Sequence, residues 1–340
     1  MNNTFLRACM GKEMDYTPVW IMRQAGRYLP EYRKIREKVD FLTLCKTPEL
    51  AAEVTTQPVD ILGVDAAILF SDILIPIEKM GLKLKFYEKK GPKFSNPIRI
   101  QQNVDKLKVI NPDEDVPYVL ETIKILRKGL KVPLIGFSGA PFTAATYMIE
   151  GGSSKNFLKT KRIIYNDPQL FTSLMDKITE TTIAYLSAQI KAGAQAVQLF
   201  DSWAGALSPS DYEVAAFPYA KKAIEALKPL GVPVIYFVND CAGVLDIAAR
   251  AGADVMGVDW RIDMAEAVKK MGKKLTVQGN LDPCVLFSTK NHIKEMVVDI
   301  IRKAKGARAH IFNLGHGILP ETPPENVKTL VKIVHDAGYI

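Results

Sequence analysis

Arginine residues cluster in one short stretch near the start of the sequence. Arg23 and Arg27 lie four residues apart around a glycine, and Arg33 and Arg36 follow soon after. Guanidinium groups bind carboxylates in bidentate pairs and stay charged at any working pH. Two or more of them at one site suit a substrate with several carboxylates. We expect Arg33 on a solvated helix face, whereas for Arg36 that interpretation and a binding role both stay open.

One carboxylate, Asp72, follows the apolar run that begins at Ile68. Burying a carboxylate at the end of a strand is costly without hydrogen-bond donors, so its position favours a functional role. The alternative is a cap for the next helix, and Ser71 could supply that cap instead. Tyr147 and Ser202 add neutral hydroxyl donors after later strands, although each alone is more often structural.

His316 stands between two glycines after the last apolar run. This setting favours a close backbone approach to a ligand, and a hydrogen-bonded core histidine is the alternative. The other three histidines, His292, His310 and His335, fall on predicted helices or at a strand start, where we expect structural or exposed side chains.

Familiar catalytic and metal-binding motifs are missing from the sequence. The four cysteines are widely spaced without a Cys-x-x-Cys pair, and there is no His-Glu-x-x-His, P-loop or Gly-x-Ser-x-Gly motif. No lysine ends a predicted strand, where a Schiff base would be expected. These patterns predict a site that binds a polyanionic, partly apolar molecule without a metal ion.

Eight short and continuously apolar runs must position these polar residues. Such runs are typical of parallel strands that are covered on both faces. The predicted strands are residues 19–22, 66–70, 134–137, 196–200, 234–238, 255–258, 275–278 and 309–313. Helical patterns separate them, at residues 48–62, 117–129, 168–192, 211–230, 244–251, 264–271, 290–305 and 324–337.

This alternation predicts an α/β fold, a single (β/α)8 TIM barrel over residues 1–340 with an inserted hairpin near residues 82–94. An open doubly wound sheet is the alternative, but no Gly-x-Gly-x-x-Gly follows a strand. In a barrel the catalytic groups lie at the carboxyl ends of the strands. The candidate site residues discussed above, Arg23, Arg27, Asp72, Tyr147, Ser202 and His316, all lie after predicted strands.

The composition, 48% apolar and 24% charged, is that of a soluble globular protein. No apolar run approaches the roughly 20 residues of a membrane span, and no basic stretch precedes an apolar core at the N-terminus. We therefore expect a cytoplasmic protein without a membrane partner. The net charge of +8 comes from lysines scattered over many helices, so no nucleic-acid partner is expected.

Several segments together resemble the uroporphyrinogen decarboxylase family. The most specific is PVWIMRQAGRYLPE at residues 18–31, and the others follow in the same order over nearly the whole chain. They are FSDIL at 70–74, IGFSGAPFT at 135–143, YMIEGG at 147–152, QLFDS at 198–202, QGNLDP at 278–283 and NLGHG at 313–317.

This resemblance implies conversion of uroporphyrinogen III to coproporphyrinogen III, by loss of four acetate carboxyl groups as CO2, in porphyrin and haem biosynthesis. It implies a (β/α)8 barrel that forms a homodimer, binds a small-molecule tetrapyrrole and uses neither a metal ion nor an organic cofactor. It also implies catalytic roles for Asp72, Arg23 and Tyr147. The implied substrate-binding residues are Arg23, Arg27, Arg36, Phe70, Asp72, Tyr147, Phe200, Ser202 and His316.

One departure and two alternative functions accompany the resemblance. Trp203 stands where some relatives carry histidine. A corrinoid-linked methyltransferase on a similar barrel would need a zinc triad of histidine and cysteines, which residues 239–241 and His316 supply only in part. A non-catalytic tetrapyrrole carrier would keep the arginines but would not need Asp72 in the cleft.

Overall fold

The structure is a computed structural model that describes residues 2–87 and 91–338. The described strands are β1 (Ala67–Ile68), β2 (Leu84–Tyr87), β3 (Gly91–Phe94), β4 (Leu134–Gly139), β5 (Ala196–Asp201), β6 (Val234–Val238), β7 (Val255–Gly257), β8 (Thr276–Gln278) and β9 (Ala309–Ile311). Seven of them form one parallel sheet in the order β1-β4-β5-β6-β7-β8-β9. The predicted α/β class with parallel, buried strands is confirmed.

Helices connect successive strands of this sheet and cover it. Their bounds are α1 (Thr4–Cys9), α2 (Pro30–Arg36), α3 (Phe41–Lys46), α4 (Pro48–Leu62), α5 (Ile75–Lys79), α6 (Gln101–Asp105), α7 (Pro112–Asp115), α8 (Pro117–Gly129), α9 (Pro141–Glu150), α10 (Leu158–Asn166), α11 (Pro168–Ala192), α12 (Pro209–Ala215), α13 (Phe217–Leu227), α14 (Leu245–Ala248), α15 (Met264–Met271), α16 (Lys290–Lys303) and α17 (Pro324–Asp336). Short 3-10 helices lie at Ala204–Ala206, Lys228–Leu230, Cys241–Gly243, Ala249–Ala251 and Pro283–Phe287.

Several helix ends follow directly from the sequence. Helices α4, α8 and α11 each begin with a proline, which has no N–H to leave unpaired in the first turn. Gly63 ends α4 in the left-handed conformation, with φ of 72°. The observed bounds of these three helices and of α15 are those that the sequence predicts.

One long predicted helix, residues 211–230, is wrong as a continuous element. It is divided into α12 and α13, and Ala216 between them has φ of −120°. Pro218 explains the break, because its ring would clash with the carbonyl four residues earlier and it has no N–H to donate.

The first of the eight predicted strands is also wrong. Of its residues, Val19 makes a single parallel bridge. The Ile21 N–H donates to Oε1 of Gln24 (2.9 Å), and the Met22 N–H donates to Oδ1 of Asn313 (2.9 Å). Side chains thus replace the neighbouring strand as acceptors, so the backbone turns instead of extending.

The segment predicted as an inserted hairpin contains two paired strands. Strands β2 and β3 are antiparallel, in a register that runs from Leu84 opposite Phe94 to Tyr87 opposite Gly91. Residues 88–90, which connect them, lie outside the described residues. Within the described part of the chain, no helix is both long and apolar enough to cross a membrane.

Candidate active site

A cleft of about 980 Å³ opens at the carboxyl ends of the parallel strands. Its volume is at the upper end of the range for small-molecule sites. The structure brings all nine sequence-predicted site residues to its lining, namely Arg23, Arg27, Arg36, Phe70, Asp72, Tyr147, Phe200, Ser202 and His316.

Arg23 lies in a strained turn at the mouth of the cleft. The Gln24 N–H donates to the Ile21 carbonyl (2.8 Å), which closes the turn, and Arg23 takes a positive φ of 64°. Gln24 is buried and also donates to the Ala66 carbonyl (2.9 Å), so the turn is fixed to the chain just before β1. A left-handed conformation costs a non-glycine residue about 1–2 kcal/mol, and such strain concentrates at functional sites.

The two glycines around His316 allow close packing against protein groups. A Cβ atom added at Gly317 would lie 2.3 Å from Cδ of Arg23, and one at Gly315 would lie 2.3 Å from the backbone nitrogen of Trp260. The two glycines are therefore required by the close approach of the Trp260 backbone and the Arg23 side chain, while a backbone approach to a ligand stays a prediction.

Asp72 is half-buried and carries two kinds of interaction. Its Oδ1 accepts the Leu74 N–H (2.9 Å), so of the two possible caps, Ser71 and Asp72, it is Asp72 that caps the turn before α5. Burial raises the pKa of Asp72, while the Leu74 N–H and then the charges of Arg23 and Arg27 lower it. The carboxyl group is thus both a local cap and the acidic group facing the arginines.

The charges of this cluster act on one another. Desolvation lowers the pKa of Arg23, and the neighbouring charge of Arg27 lowers it further, whereas Asp72 and Tyr147 oppose these effects. Although protein surrounds Arg23, its side chain remains accessible from the cleft. Two cations and one carboxylate therefore lie together along one side of the cleft.

Tyr147 and Ser202 reach the cleft from α9 and from the loop after β5. Burial raises the pKa of Tyr147 to about 12, and the charge of Asp72 contributes to the increase. Tyr147 therefore stays protonated near neutral pH and can donate a hydrogen bond. Its ring lies 5.8 Å from that of Trp203, centroid to centroid.

The two later arginines differ in their environments. Arg36 lines the cleft and donates to the Val39 carbonyl. Arg33 is exposed on α2, but its Nε donates to the Arg27 carbonyl (2.9 Å) and another guanidinium nitrogen donates to the Pro320 carbonyl (2.8 Å). Arg33 thus supports the backbone of residues 18–36, which we call the arginine segment.

Aromatic side chains form the apolar surfaces of the cleft. Phe41 contacts both Phe70 and Phe86, with ring centroids 5.9 Å and 4.9 Å apart. Deeper in the sheet, Phe200 lies 5.7 Å from Phe137 and 6.1 Å from Phe237. The cleft therefore combines cationic and aromatic surfaces.

His316 lies among aromatic rings, 6.4 Å from Phe237 and 6.0 Å from Trp260. Desolvation lowers its pKa to about 4, with further contributions from the charges of Arg23 and Arg261. The ring is therefore neutral near pH 7.

The other histidines take the structural or exposed positions that the sequence predicts. His310 is buried on β9 and bonds the Gly279 carbonyl (2.8 Å), His335 bonds Asp65 (2.8 Å), and His292 is exposed. No group of three or more His, Cys, Asp and Glu side chains is placed to hold a metal ion within residues 2–87 and 91–338.

Sequence reasoning missed a buried network beside the cleft. Asp201, the last residue of β5, accepts hydrogen bonds from Thr143 (2.7 Å) and Tyr236 (2.9 Å). The available signal was a second acidic residue at a strand end, directly before Ser202. Its partners are distant in sequence, so no spacing rule would have identified them.

Comparisons with known proteins agree along the whole chain. Residues 1–337 match a family model described as uroporphyrinogen decarboxylase. A protein of that name from Geobacter metallireducens is 57% identical over 337 residues, which are 98% of each chain. Another, from Carboxydothermus hydrogenoformans, is 56% identical and covers 100% of this chain and 98% of its own. Among solved structures, a methyltransferase from Methanosarcina mazei has a TM-score of 0.82 over 98% of each chain at 22% identity, which shows a shared fold.

Proposed function

The chain belongs to the uroporphyrinogen decarboxylase family, and from this premise we propose that it converts uroporphyrinogen III to coproporphyrinogen III. Four acetate side chains each lose CO2 and become methyl groups, so the protein acts as a carboxy-lyase of porphyrin and haem biosynthesis. The observation that carries the proposal is a cleft in which Asp72 faces Arg23 and Arg27 between aromatic surfaces.

The substrate carries eight carboxylates around an apolar ring system, and the cleft offers matching chemistry. Arg23, Arg27 and Arg36 bind acetate and propionate groups, and Phe70 and Phe200 pack against the macrocycle. The inward-facing pyrrole N–H groups donate to Asp72. The net charge of +8 steers this anion towards the protein over longer distances.

Loss of CO2 from a pyrrole acetate needs an acceptor for the electron pair of the breaking C–C bond. We infer that protonation of a pyrrole ring carbon creates that acceptor, so the ring itself serves where other decarboxylases use a cofactor. The electron pair moves into the cationic ring as CO2 leaves, and a proton then adds to the exocyclic carbon to give the methyl group. Loss of the ring proton restores the pyrrole. Asp72 stabilises the transient cation by its charge.

Arg23, Tyr147 and a bound water are the three candidate proton donors. Burial and the charge of Arg27 lower the pKa of Arg23, which makes Arg23 a stronger acid than an ordinary arginine. The pKa of Tyr147 is raised to about 12, which makes it a weaker acid than an ordinary tyrosine. The direction of both shifts favours Arg23, so we propose it as the donor and keep Tyr147 and a bound water as the alternatives. Tyr147, Ser202 and His316 bind the substrate as neutral groups.

We also propose that residues 1–340 form one catalytic domain in which the barrel is closed by the segment around Val19. Two hydrogen bonds on one side support this, from the Trp20 N–H to the Phe312 carbonyl (3.3 Å) and from the Phe312 N–H to the Pro18 carbonyl (2.8 Å). On the other side, the Asp65 N–H donates to the Val19 carbonyl (2.8 Å). A cytoplasmic homodimer without a metal or organic cofactor completes the proposal, and these points rest on the family resemblance.

The test is an anaerobic assay with reduced uroporphyrinogen III and no added metal or cofactor. Products are oxidised and separated by their number of carboxylates. We expect species with seven to four carboxylates to appear in turn. Tight porphyrinogen binding without CO2 release would instead indicate a carrier, and stoichiometric zinc in an inactive protein would favour a methyltransferase.

Asp72→Asn makes this test specific for the proposed chemistry. The variant keeps the size of the side chain and an acceptor for the Leu74 N–H, but it removes the negative charge that stabilises the cationic intermediate. We expect turnover to fall by about 10²- to 10⁴-fold with the fold intact. Asp113→Asn, a remote exposed position, is the matched control. Near-normal turnover of Asp72→Asn would remove Asp72 from the mechanism.

A further inference from the structure

Asp201 is a buried carboxylate that the proposed chemistry does not use. Its side chain is completely buried at the end of β5. Oδ1 accepts from the Thr143 hydroxyl (2.7 Å), and Oδ2 accepts from the Tyr236 hydroxyl (2.9 Å). A buried acid is usually paired with a lysine or arginine. Within the described residues, Asp201 is paired with these two hydroxyl groups instead.

The hydrogen bonds around Asp201 have a defined direction. The Tyr236 hydroxyl has one proton and donates it to Asp201, so the Tyr212 hydroxyl (2.9 Å) must donate to the oxygen of Tyr236. The Thr143 hydroxyl likewise donates to Asp201, and its oxygen accepts the Trp203 N–H (3.2 Å). The ionised carboxylate thus orients every hydroxyl group of the network.

This network connects two elements that supply groups to the cleft. Thr143 and Tyr147 lie four residues apart on α9, on the same side of that helix. Ser202 and Trp203 follow Asp201 directly, and the Trp203 amide is held by Thr143. A shift in the network would therefore move Ser202 relative to Tyr147.

We propose that Asp201 is a positioning residue, whose carboxylate holds the loop after β5 against α9 so that Ser202 and Tyr147 face the substrate together. The inference rests on the proposed function of the cleft. Asp201 is fully buried and does not touch the substrate itself.

The energetic cost of this arrangement supports a functional role. Burial raises the pKa of Asp201 to about 6, although the hydrogen bonds from Thr143 and Tyr236 lower it. A carboxylate with a raised pKa is less favourable in the folded protein than in the unfolded chain near neutral pH. A neutral isostere would not carry that cost, whereas the carboxylate orients the hydroxyl groups of Thr143 and Tyr236.

Asp201→Asn and Thr143→Val test the proposal, with Thr143→Ser and Tyr212→Phe as matched controls. The asparagine amide presents a donor to Tyr236 and reverses that hydrogen bond, while valine removes the hydroxyl that links Asp201 to Trp203. We expect kcat to fall by about 10- to 100-fold in both variants with KM changed less. Thr143→Ser should restore kcat, and Tyr212→Phe, one bond further away, should stay within about twofold.

Two further measurements separate positioning from a merely structural role. The urea midpoint of Asp201→Asn should equal or exceed that of the wild type, because a costly charge is removed. Amide hydrogen exchange of the segment after β5 should be at least about tenfold faster in Asp201→Asn and Thr143→Val, but not in Thr143→Ser.

The exchange measurement needs no turnover, so it keeps the two proposals distinguishable. If the wild-type protein had no decarboxylase activity but exchange were still faster in the two test variants, the positioning role would be supported and the proposed function rejected. Wild-type kcat in both test variants, unchanged exchange, or a loss of activity that merely parallels a loss of folded protein would overturn the role of Asp201.

Discussion

Gly317→Ala tests whether the position of Arg23 governs turnover. The added methyl group would lie 2.3 Å from Cδ of Arg23 and 2.8 Å from both Cγ and Nε. Cγ is near the start of the side chain, so rotation of the guanidinium alone cannot relieve the contact. The substitution therefore displaces Arg23 without changing any charge in the cleft.

The size of the effect follows from these distances. Non-bonded carbon atoms in contact are about 3.5–4.0 Å apart, so the Arg23 side chain must move by about 1–2 Å. A displacement of about 1 Å can cost about 10²-fold in rate, which corresponds to about 2.7 kcal/mol of transition-state stabilisation. We expect kcat/KM to fall by about this factor. The free energy of unfolding should change by less than about 1 kcal/mol, because Arg23 faces an open cleft.

The assay is the anaerobic decarboxylation described above, combined with urea unfolding. Gly129→Ala is the control, since a Cβ atom at this end of α8 would meet nothing within 4 Å. It should keep full activity and gain a little stability. If folded Gly317→Ala had the kcat/KM of the wild type, the position of Arg23 would not matter, and Arg23 would lose its place as proton donor.

Two further predictions concern acid sensitivity and the support of the arginine segment. The folded protein favours the neutral ring of His316, whose pKa is lowered from 6.5 to about 4, so its contribution to stability is lost as the pH falls through this interval. An NMR signal that disappears in His316→Gln should titrate near pH 4, and a midpoint near 6.5 would contradict the burial argument. Asp65 accepts hydrogen bonds from the Val19 N–H (2.8 Å), Tyr16 (2.7 Å) and His335 (2.8 Å). Asp65→Ala should therefore lower the free energy of unfolding by about 3 kcal/mol in a urea titration, and a change below about 1 kcal/mol would show that these partners find other acceptors.

Local chemistry explains why much of the fold was predictable from sequence. Pro48 and Gly63 mark the two ends of α4, and the apolar run at β6 has the predicted bounds. The absence of a strand at residues 19–22 was not predictable, because these apolar residues have the same composition as a buried strand. Their departure from the sheet depends on Gln24 and Asn313 as acceptors, and Asn313 is 291 residues from the amide that it binds.

The candidate site shows the same division between local and distant causes. Arg23 and Asp72 were identifiable because polar side chains stand out directly after apolar runs. The connection of Asp201 to Thr143 was not, since it joins residues 58 apart through hydroxyl groups common in ordinary helices. The need for a glycine at position 317 was equally unpredictable, because the atom that a Cβ would contact, Cδ of Arg23, lies near the other end of the chain.

The charges of Arg23 and Arg27 repel each other when no substrate is bound, and relief of this repulsion favours binding of an anion. Desolvation disfavours the charged forms of both Arg23 and Asp72, and the charge of Arg27 adds to the cost at Arg23. In the proposed complex, a bound acetate would relieve the repulsion between the two arginines, and pyrrole N–H groups would donate to Asp72. Electrostatic stabilisation that increases as the ring becomes cationic lowers the activation barrier. Stabilisation that is already complete in the bound substrate only tightens binding. In the proposed mechanism Asp72 acts directly on that cation, so its removal should reduce kcat more than it raises KM.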